Sequence, residues 1–259
     1  MTLPPILSLA VAGLLLLIQP VAAAELQVVS SGGFAAAYRA LAPEYERANG
    51  DTLKINWGPS MGDTPNAVPA RLTRGEKLDV VIMVGYALDD LIKQGKVLPD
   101  SKVILARSSI GVAVKAGAPK PDIGSAEAVK RALLAAKSIA YSDSASGVYI
   151  STRMFQRLGI AEQMAGKARK IPATPVGEIV AQGEAELGFQ QIAELKAVEG
   201  IDLVGPLPPE LQQVTLYSAG IVAGSHDPAA ARKLLDFLAS PAAAPAIAAT
   251  GLEPTATAK

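Results

Sequence analysis

The chain of 259 residues contains no cysteine. Disulfide bonds, zinc–thiolate sites and cysteine nucleophiles are therefore excluded, and so is a lipid anchor attached through an N-terminal cysteine. Aromatic residues make up only 4% of the chain, although half of its residues are apolar. Alanine, valine, isoleucine and leucine must therefore fill a core that a chain of this length builds as one large domain or two modest lobes.

A surplus of charge is absent as well, because 24 lysines and arginines balance 24 aspartates and glutamates. A neutral chain without a basic stripe is not expected to bind nucleic acid. The sequence also lacks a Walker loop, an H-E-x-x-H pair and a G-x-G-x-x-G turn, so we expect neither a metal nor a cofactor. The single histidine, His226, precedes a predicted helix and is interpreted as a surface turn residue.

The first 24 residues predict a secretory signal peptide. An uncharged apolar run covers residues 6–18, Gln19 and Pro20 interrupt it, and alanines at 22–24 provide a small-residue cleavage site. The run is shorter than the roughly 20 residues that cross a bilayer. We expect cleavage near Ala24. Because no cysteine is available for lipid attachment, we expect the mature protein to be free in the periplasm, as a monomer.

Strands and helices alternate from the start of the mature chain. We predict strands at residues 26–29, 53–57 and 80–84, and a helix with apolar residues at helical spacing separates the first two strands. The third strand, VVIMV, is apolar throughout, which is typical of a parallel strand buried on both faces. This alternation predicts an α/β fold with a mostly parallel sheet.

The same order of elements restarts after about residue 105, with an extended segment at 103–114. The absence of a low-complexity linker favours two lobes joined by crossing strands. We expect lobe one to comprise residues 25–105 with a C-terminal return over 216–259, and lobe two to comprise residues 106–215. The remaining predicted elements are helices at 65–73, 125–136, 176–182 and 228–238, a helix with Ile150, Met154 and Leu158 on one face that stops at Gly159, a helix beginning at Pro241, and strands at 138–141, 187–189 and 216–222.

Two turns rich in serine and glycine each connect a strand to the start of a helix. The first consists of Ser30, Ser31 and Gly32, and the second spans residues 142–148. Free N–H groups and the helix dipole attract anions there, although such serines also serve as simple helix caps. Two equivalent turns predict an anion site in the cleft at the carboxyl ends of the strands. In the second turn the predicted ligand-binding residues are Ser142, Ser144, Ser146, Gly147 and Val148.

The order of these segments resembles a known family. Beside the two turns, a segment with Ser60 and Met61 is followed by a helix and the VVIM strand, and the chain closes with LLDFLASPAAAPAIAATGLEP. Over nearly the whole mature chain, the sequence resembles the molybdate-binding protein family of type II periplasmic solute-binding proteins. The resemblance implies two α/β lobes with a ligand cleft between them. It also implies ligand donors from the first turn, the Ser60 segment and the amides of residues 145–148.

The sequence departs from that family in two places. The segment around Ser60 is longer than the compact turn of the family, and the late strand of lobe two ends in Gln190 and Gln191, where the molybdate-binding proteins use a tyrosine. A glutamine amide suits a planar carboxylate better than a compact tetrahedral dianion. We therefore expect a di- or tricarboxylate as ligand, with Arg71 and Arg107 as candidate bidentate partners.

Two functions are consistent with this resemblance. The first is capture of a small anion and its delivery to an inner-membrane transporter. The alternative is enzymatic, because the resemblance extends to periplasmic aconitate isomerases, which interconvert cis- and trans-aconitate by allylic proton transfer. That reaction needs a carboxylate-binding cleft and a positioned acid or base, with no metal or redox cofactor. The candidate bases are Asp63, Asp143 and Glu178, and the candidate acid is Tyr149.

Overall fold

The computed structural model describes residues 23–62 and 64–255. The predicted signal peptide therefore lies almost entirely outside the described residues, and so does the candidate base Asp63. Within the described ranges, no helix combines the length and the apolar character that crossing a membrane requires.

Eleven strands in the described part of the chain form two sheets. In chain order they are β1 (Glu25–Ser30), β2 (Thr52–Trp57), β3 (Val80–Val84), β4 (Val103–Ser108), β5 (Ile110–Lys115), β6 (Ile139–Ser142), β7 (Ala168–Ile171), β8 (Leu187–Gln191), β9 (Ile201–Pro206), β10 (Thr215–Ile221) and β11 (Glu253–Pro254).

The helices lie between these strands and after them. In chain order they are α1 (Gly32–Asn49), α2 (Val68–Thr73), α3 (Gly85–Lys93), α4 (Ala126–Ala135), α5 (Ala145–Tyr149), α6 (Phe155–Arg157), α7 (Ala161–Met164), α8 (Val176–Ala181), α9 (Ile192–Leu195), α10 (Pro228–Leu238) and α11 (Ala244–Ala249).

The first sheet has the strand order β11-β4-β10-β3-β1-β2. Strand β1 is parallel to both β2 and β3, whereas β10 is antiparallel to β3 and β4. The core of this lobe is apolar, and Val80–Val84 is buried at every position, as the unbroken VVIMV run predicts. Because β1, β2 and β3 are parallel, their carboxyl ends meet at one edge of the sheet.

The second sheet has the strand order β7-β6-β8-β5-β9. Its centre is also mixed, because β6 is parallel to β7 and β8, whereas β5 is antiparallel to β8 and β9. A separate apolar core supports this sheet and includes Phe189, Met154 and Leu133. The carboxyl ends of β6 and β8 lie at the same edge of this sheet.

Within the described residues, the chain crosses between the two sheets twice. It passes from β4 to β5 at Ser109, and it returns from β9 to β10 through residues 207–214. The segment predicted as one extended element at 103–114 is therefore two strands that belong to different sheets. Helix α3 and strands β7 and β9 were not predicted. Helices α2 and α11 begin three residues later than predicted, at Val68 and Ala244.

Candidate functional site in the cleft

A cavity of about 200 Å³ lies where the carboxyl ends of strands from the two sheets face each other. Both sheets and the segments that follow their strands contribute to its wall, so neither lobe forms it alone. The residues that line it are Ser31, Gly32, Gly33, Trp57, Gly58, Pro59, Ser60, Asn66, Ser142, Asp143, Ser144, Ala173, Thr174, Pro175, Gln190, Glu194 and Tyr217.

Ser31 occupies the N-cap position of α1, directly after β1. Its backbone is extended, as an N-cap requires, but its side chain accepts no hydrogen bond from the helix. The hydroxyl is buried and has no hydrogen-bond partner among the described residues, and the residue is only 4% exposed. A buried hydroxyl without a partner is costly, so this one is available to a ligand in the cavity. Ser30, beside it, donates its hydroxyl to the Ser31 carbonyl oxygen at 3.2 Å.

The first two residues of α1 are glycines because other groups approach the backbone closely. A Cβ atom at Gly32 would lie 2.6 Å from a carboxylate oxygen of Glu194. A Cβ atom at Gly33 would lie 1.8 Å from the hydroxyl oxygen of Tyr217. Because these positions carry no side chains, the Glu194 carboxylate and the Tyr217 hydroxyl, from distant parts of the chain, can both approach the first turn of α1.

The second serine-rich turn connects β6 to α5. The hydroxyls of Ser142 and Ser146 lie 3.0 Å apart, and Gly147 is needed because a Cβ there would be 1.6 Å from the Ser142 carbonyl oxygen. Ser144 is the N-cap of α5, again without a side-chain cap bond. Ser142 and Ser144 line the cavity, whereas the side chain of Val148 is exposed to solvent.

The segment after β2 forms part of the first lobe's wall. Ser60 lines the cavity, and its hydroxyl oxygen accepts a hydrogen bond from the Val84 amide at 2.9 Å. Met61 lies next to it and accepts a contact of 3.6 Å from the Tyr86 hydroxyl.

The segment 58–62 also matches the G-x-S-x-G pattern of serine hydrolases. However, the only histidine, His226, binds Asp79 at 2.8 Å and lines a different cavity, so no triad forms.

The arginines predicted as ligand partners have other contacts. Arg71 donates to the backbone oxygens of Asn66 and Trp57, at 3.0 and 3.3 Å, and it pairs with Glu76. Arg107 lies 3.6 Å from Glu253 and is exposed. In the part of the chain that the structure describes, neither arginine lines the cavity. Arg71 instead holds the segment that carries Ser60 against the end of β2.

The two glutamines at the end of β8 point in different directions. Gln190 lines the cavity, and its side-chain oxygen accepts a hydrogen bond from the Val176 amide at 2.8 Å. Gln191 does not line the cavity, and its amide nitrogen donates at 3.0 Å to the hydroxyl of Thr215, the first residue of β10. The alternation of side chains along a strand accounts for this difference.

The candidate acids and bases occupy dissimilar environments. Asp143 lines the cavity. Glu178 lies in the first turn of α8 with its side chain exposed, outside the cavity wall. Tyr149 is buried, and its hydroxyl donates to the Leu211 carbonyl oxygen at 2.8 Å, so it connects α5 to the crossing segment.

Glu194 and Tyr217 line the cavity although neither was predicted. Burial raises the pKa of Glu194 to about 7, the negative charge of Asp143 raises it too, and a hydrogen bond with Gln190 acts in the opposite direction. Burial also raises the pKa of Tyr217 well above 10, with a further contribution from Glu194. Strongly shifted pKa values of buried groups in a cleft cluster at functional sites, so these two residues mark the cavity as a candidate site.

The backbone is strained on the opposite wall of the cavity. Ala173 has φ of 59°, a value that residues with a Cβ atom seldom adopt. The Thr174 amide donates to the Pro172 carbonyl oxygen at 2.7 Å, which closes a three-residue turn around Ala173. Strain of this kind is frequent at functional sites, where the surrounding structure maintains it.

No lysine or arginine is among the described residues that line the cavity. The polar groups on its wall include serine hydroxyls, the Gln190 amide, the first turn of α1 and the carboxyl groups of Asp143 and Glu194. A helix N-terminus attracts anions through its free N–H groups and its dipole. The fold and this cleft together define a class of protein, which comparison with known proteins identifies.

The sequence from residue 26 to residue 253 matches the family of bacterial extracellular solute-binding proteins, and the chain belongs to that family. The structure is similar to the periplasmic molybdate-binding protein of Azotobacter vinelandii, with a TM-score of 0.70 and 23% identity over 88% of this chain and 98% of that one. It is also similar to the substrate-binding domain of a molybdenum ABC transporter from Clostridium difficile, with a TM-score of 0.67 and 18% identity over 89% and 99% of the two chains. The predicted two-lobed architecture and the family resemblance are confirmed.

A much closer similarity is found to one enzyme. The chain is 53% identical over 255 residues to an aconitate isomerase from a Pseudomonas species, and the alignment covers 97% of both chains.

Proposed function

We propose that this protein is a periplasmic aconitate isomerase. The observation that carries the proposal is the 53% identity to an aconitate isomerase over nearly the full length of both chains. The cleft supports it, because hydroxyl and amide donors share the cavity with a carboxyl group that titrates near neutral pH. The enzymatic alternative is therefore better supported than a function limited to transport.

The proposed reaction is a proton shift along three carbons. A base removes a proton from the methylene carbon of aconitate, and the electron pair left behind is delocalised over the adjacent double bond. The original double bond is thereby weakened. A proton returned to the former vinyl carbon places the double bond between the other two carbons, in the opposite configuration. Protons and electrons balance within the substrate, so the reaction consumes no external oxidant or reductant.

The carboxylates of the substrate would bind to donors from both lobes. Ser31 and the free N–H groups of α1 would bind one carboxylate, and Ser142 and Ser144 would bind another from the opposite wall. Gln190 would contribute its amide group. Hydrogen bonds from neutral donors to an anion stabilise it strongly in a site shielded from water. No paired arginine is required in this arrangement.

Conversion of aconitate by the purified protein tests the proposal. The protein is incubated with trans-aconitate or with cis-aconitate, and proton NMR follows the vinyl signal of each isomer. We expect both reactions to reach the same equilibrium mixture at a rate proportional to protein concentration. Absence of conversion in both directions would contradict the proposal.

Delivery of a small anion to a membrane transporter is the second candidate function, and membership of the solute-binding family favours it. The same protein sample distinguishes the two. Calorimetry that detects stoichiometric binding of trans-aconitate, together with NMR that detects no turnover, would support the receptor. A preference for molybdate over di- and tricarboxylates in the same titrations would instead support the ligand named in the structural relatives.

A further inference from the structure

We propose that the carboxyl group of Glu194 carries the proton between the two allylic carbons of the substrate. This inference rests on the proposed isomerase function and goes beyond it by assigning the group that performs the chemistry. It depends on the position of Glu194 in the cavity, on its contacts and on the groups that face it.

Glu194 is placed at the first turn of α1 by the packing of α9 on that helix. Its carboxylate oxygen lies so close to the backbone that a Cβ atom at Gly32 would be 2.6 Å away. The same turn presents the buried, unpartnered hydroxyl of Ser31. A substrate carboxylate bound at this turn would therefore hold its neighbouring carbon next to the Glu194 carboxyl group.

The contacts of Glu194 leave its carboxyl group free to exchange a proton. Its hydrogen-bond partner is Gln190, whose side-chain oxygen is already occupied by the Val176 amide. That bond fixes the orientation of Gln190, so its amide N–H₂ group is the end that faces Glu194. Within the described ranges, Glu194 forms no ion pair with a lysine or arginine. Gln190 is thus a positioning residue, and its hydrogen bond lowers the pKa of Glu194 against the larger, opposite effect of burial.

Two titratable groups from other elements face Glu194. Asp143, in the turn after β6, raises the pKa of Glu194 by its negative charge, which adds to the effect of burial and gives a value of about 7. Tyr217 projects from β10, and its own pKa lies well above 10. Tyr217 therefore remains a hydrogen-bond donor at neutral pH and is not a competing base. An acid–base group works best when its pKa lies near the working pH.

The proposed step uses one group for both transfers. The ionised Glu194 removes a proton from the methylene carbon, which forms an O–H bond and leaves a delocalised allylic anion. The same carboxyl group then returns a proton to the far carbon, which regenerates the carboxylate. Removal and return occur on one face of the substrate because a single group performs both.

Glu194→Gln tests the assignment, because glutamine keeps the size of the side chain and its hydrogen-bonding capacity but takes up no proton. Relative to the unchanged protein, we expect kcat for trans-aconitate to fall roughly a thousandfold, within the range reported for general acid–base groups. Calorimetry should show that trans-aconitate still binds. Proton NMR in D₂O should show that Glu194→Gln no longer exchanges the methylene protons of the substrate for deuterium. The matched control is Glu162→Gln, whose exposed carboxylate lies in α7, outside the cavity, and it should retain full activity.

Two further measurements separate a chemical role from a structural one. In the unchanged protein, kcat/KM should rise with pH and level off above about 7, because the base must be ionised and its pKa is about 7. Glu194→Asp should restore part of the activity and keep such a titration, whereas Glu194→Gln should lose it.

The outcomes distinguish the inference from the proposed function. If the unchanged protein does not convert aconitate, the isomerase function is wrong. If it converts aconitate and Glu194→Gln retains its rate within about threefold, the function stands and the Glu194 assignment is wrong. Loss of both binding and turnover in Glu194→Gln would also overturn the assignment, since it would indicate a structural role.

Discussion

The hydroxyl of Ser31 is buried at the start of a helix without accepting the hydrogen bond that an N-cap serine normally accepts. Ser125, at the start of α4, provides the contrast, because its hydroxyl oxygen accepts a bond from the Ala128 amide at 3.2 Å. One serine therefore stabilises its helix, and the other leaves its hydroxyl available to a ligand. The same residue type at the same helical position has two distinct roles in this chain.

Replacement of each serine by alanine should separate these roles. We expect Ser31→Ala to weaken trans-aconitate binding ten- to a hundredfold, because a hydrogen bond to a charged group contributes about 1.5–3 kcal/mol. Its free energy of unfolding without ligand should not fall, because the Ser31 hydroxyl has no hydrogen bond with the described residues that the change would remove. Ser125→Ala should instead lower the free energy of unfolding by about 1 kcal/mol and leave the affinity unchanged. Calorimetry and urea unfolding on both variants check this.

The opposite pattern would reassign Ser31 to a structural role. If Ser31→Ala unfolds more easily at unchanged affinity, the first turn is an ordinary helix cap, and the anion would have to be held by other donors.

Residue type alone was a poor guide to the charged part of the site. Arg71 was predicted as a ligand partner because guanidinium groups suit carboxylates, but its nearest partners, Glu76 and Asn66, lie only five residues away in the chain. Glu194 sits in a short segment, Ile192–Leu195, that contains no recognisable motif. The one available signal was its position a few residues after a buried strand, at the edge where ligands bind in α/β folds.

At the scale of elements, the Tyr217 side chain from β10 reaches the backbone of helix α1 at a position where the helix carries no side chain. The space that a Cβ atom at Gly33 would need is occupied by the hydroxyl of Tyr217, at 1.8 Å. This contact connects the first turn of α1 to β10, the last long strand of the first sheet. It therefore fixes where Tyr217 sits in the cavity.

Gly33→Ala should disturb both the fold and the site. Overpacking of this kind costs about 1–3 kcal/mol, and displacement of the Tyr217 hydroxyl should lower aconitate turnover as well. Gly166→Ala is the matched control, because a Cβ atom at that position meets nothing within 4 Å. Thermal unfolding and the NMR assay should show no change for this control. Equal stabilities of the two variants would contradict the packing argument.

Elements with a strong local pattern were predicted well from the sequence. The VVIMV strand and the amphipathic helix α1 carry their periodicity within a few residues, and both lie where predicted. The transition from β4 to β5 was not predicted, because the segment remains extended and only Ser109 separates two strands of different sheets. Strand β7, with the sequence ARKI and largely exposed, lacks the apolar pattern by which strands are recognised.

At the scale of the whole molecule, the site combines residues that are far apart in sequence. Ser31 and Tyr217 come from the first sheet, whereas Ser144, Gln190 and Glu194 belong to the segments of the second sheet. The serine-rich turns were predictable because each is a local pattern. The proximity of Glu194 to Gly32 depends on the two chain crossings, which bring α9 against α1, and no local pattern encodes it.

This division of the site between two lobes predicts closure around the substrate. Each lobe offers donors that gain their full contacts only when the opposite wall is near, so a ligand that bridges the cleft stabilises the closed arrangement over the open one. Small-angle X-ray scattering at saturating trans-aconitate should therefore give a smaller radius of gyration than scattering without ligand. Ser31→Ala, measured at its own saturating concentration, should close to the same extent because it retains the other donors. An unchanged radius with bound ligand would mean that one lobe alone holds the substrate, and the donors of the opposite lobe would then have no part in binding.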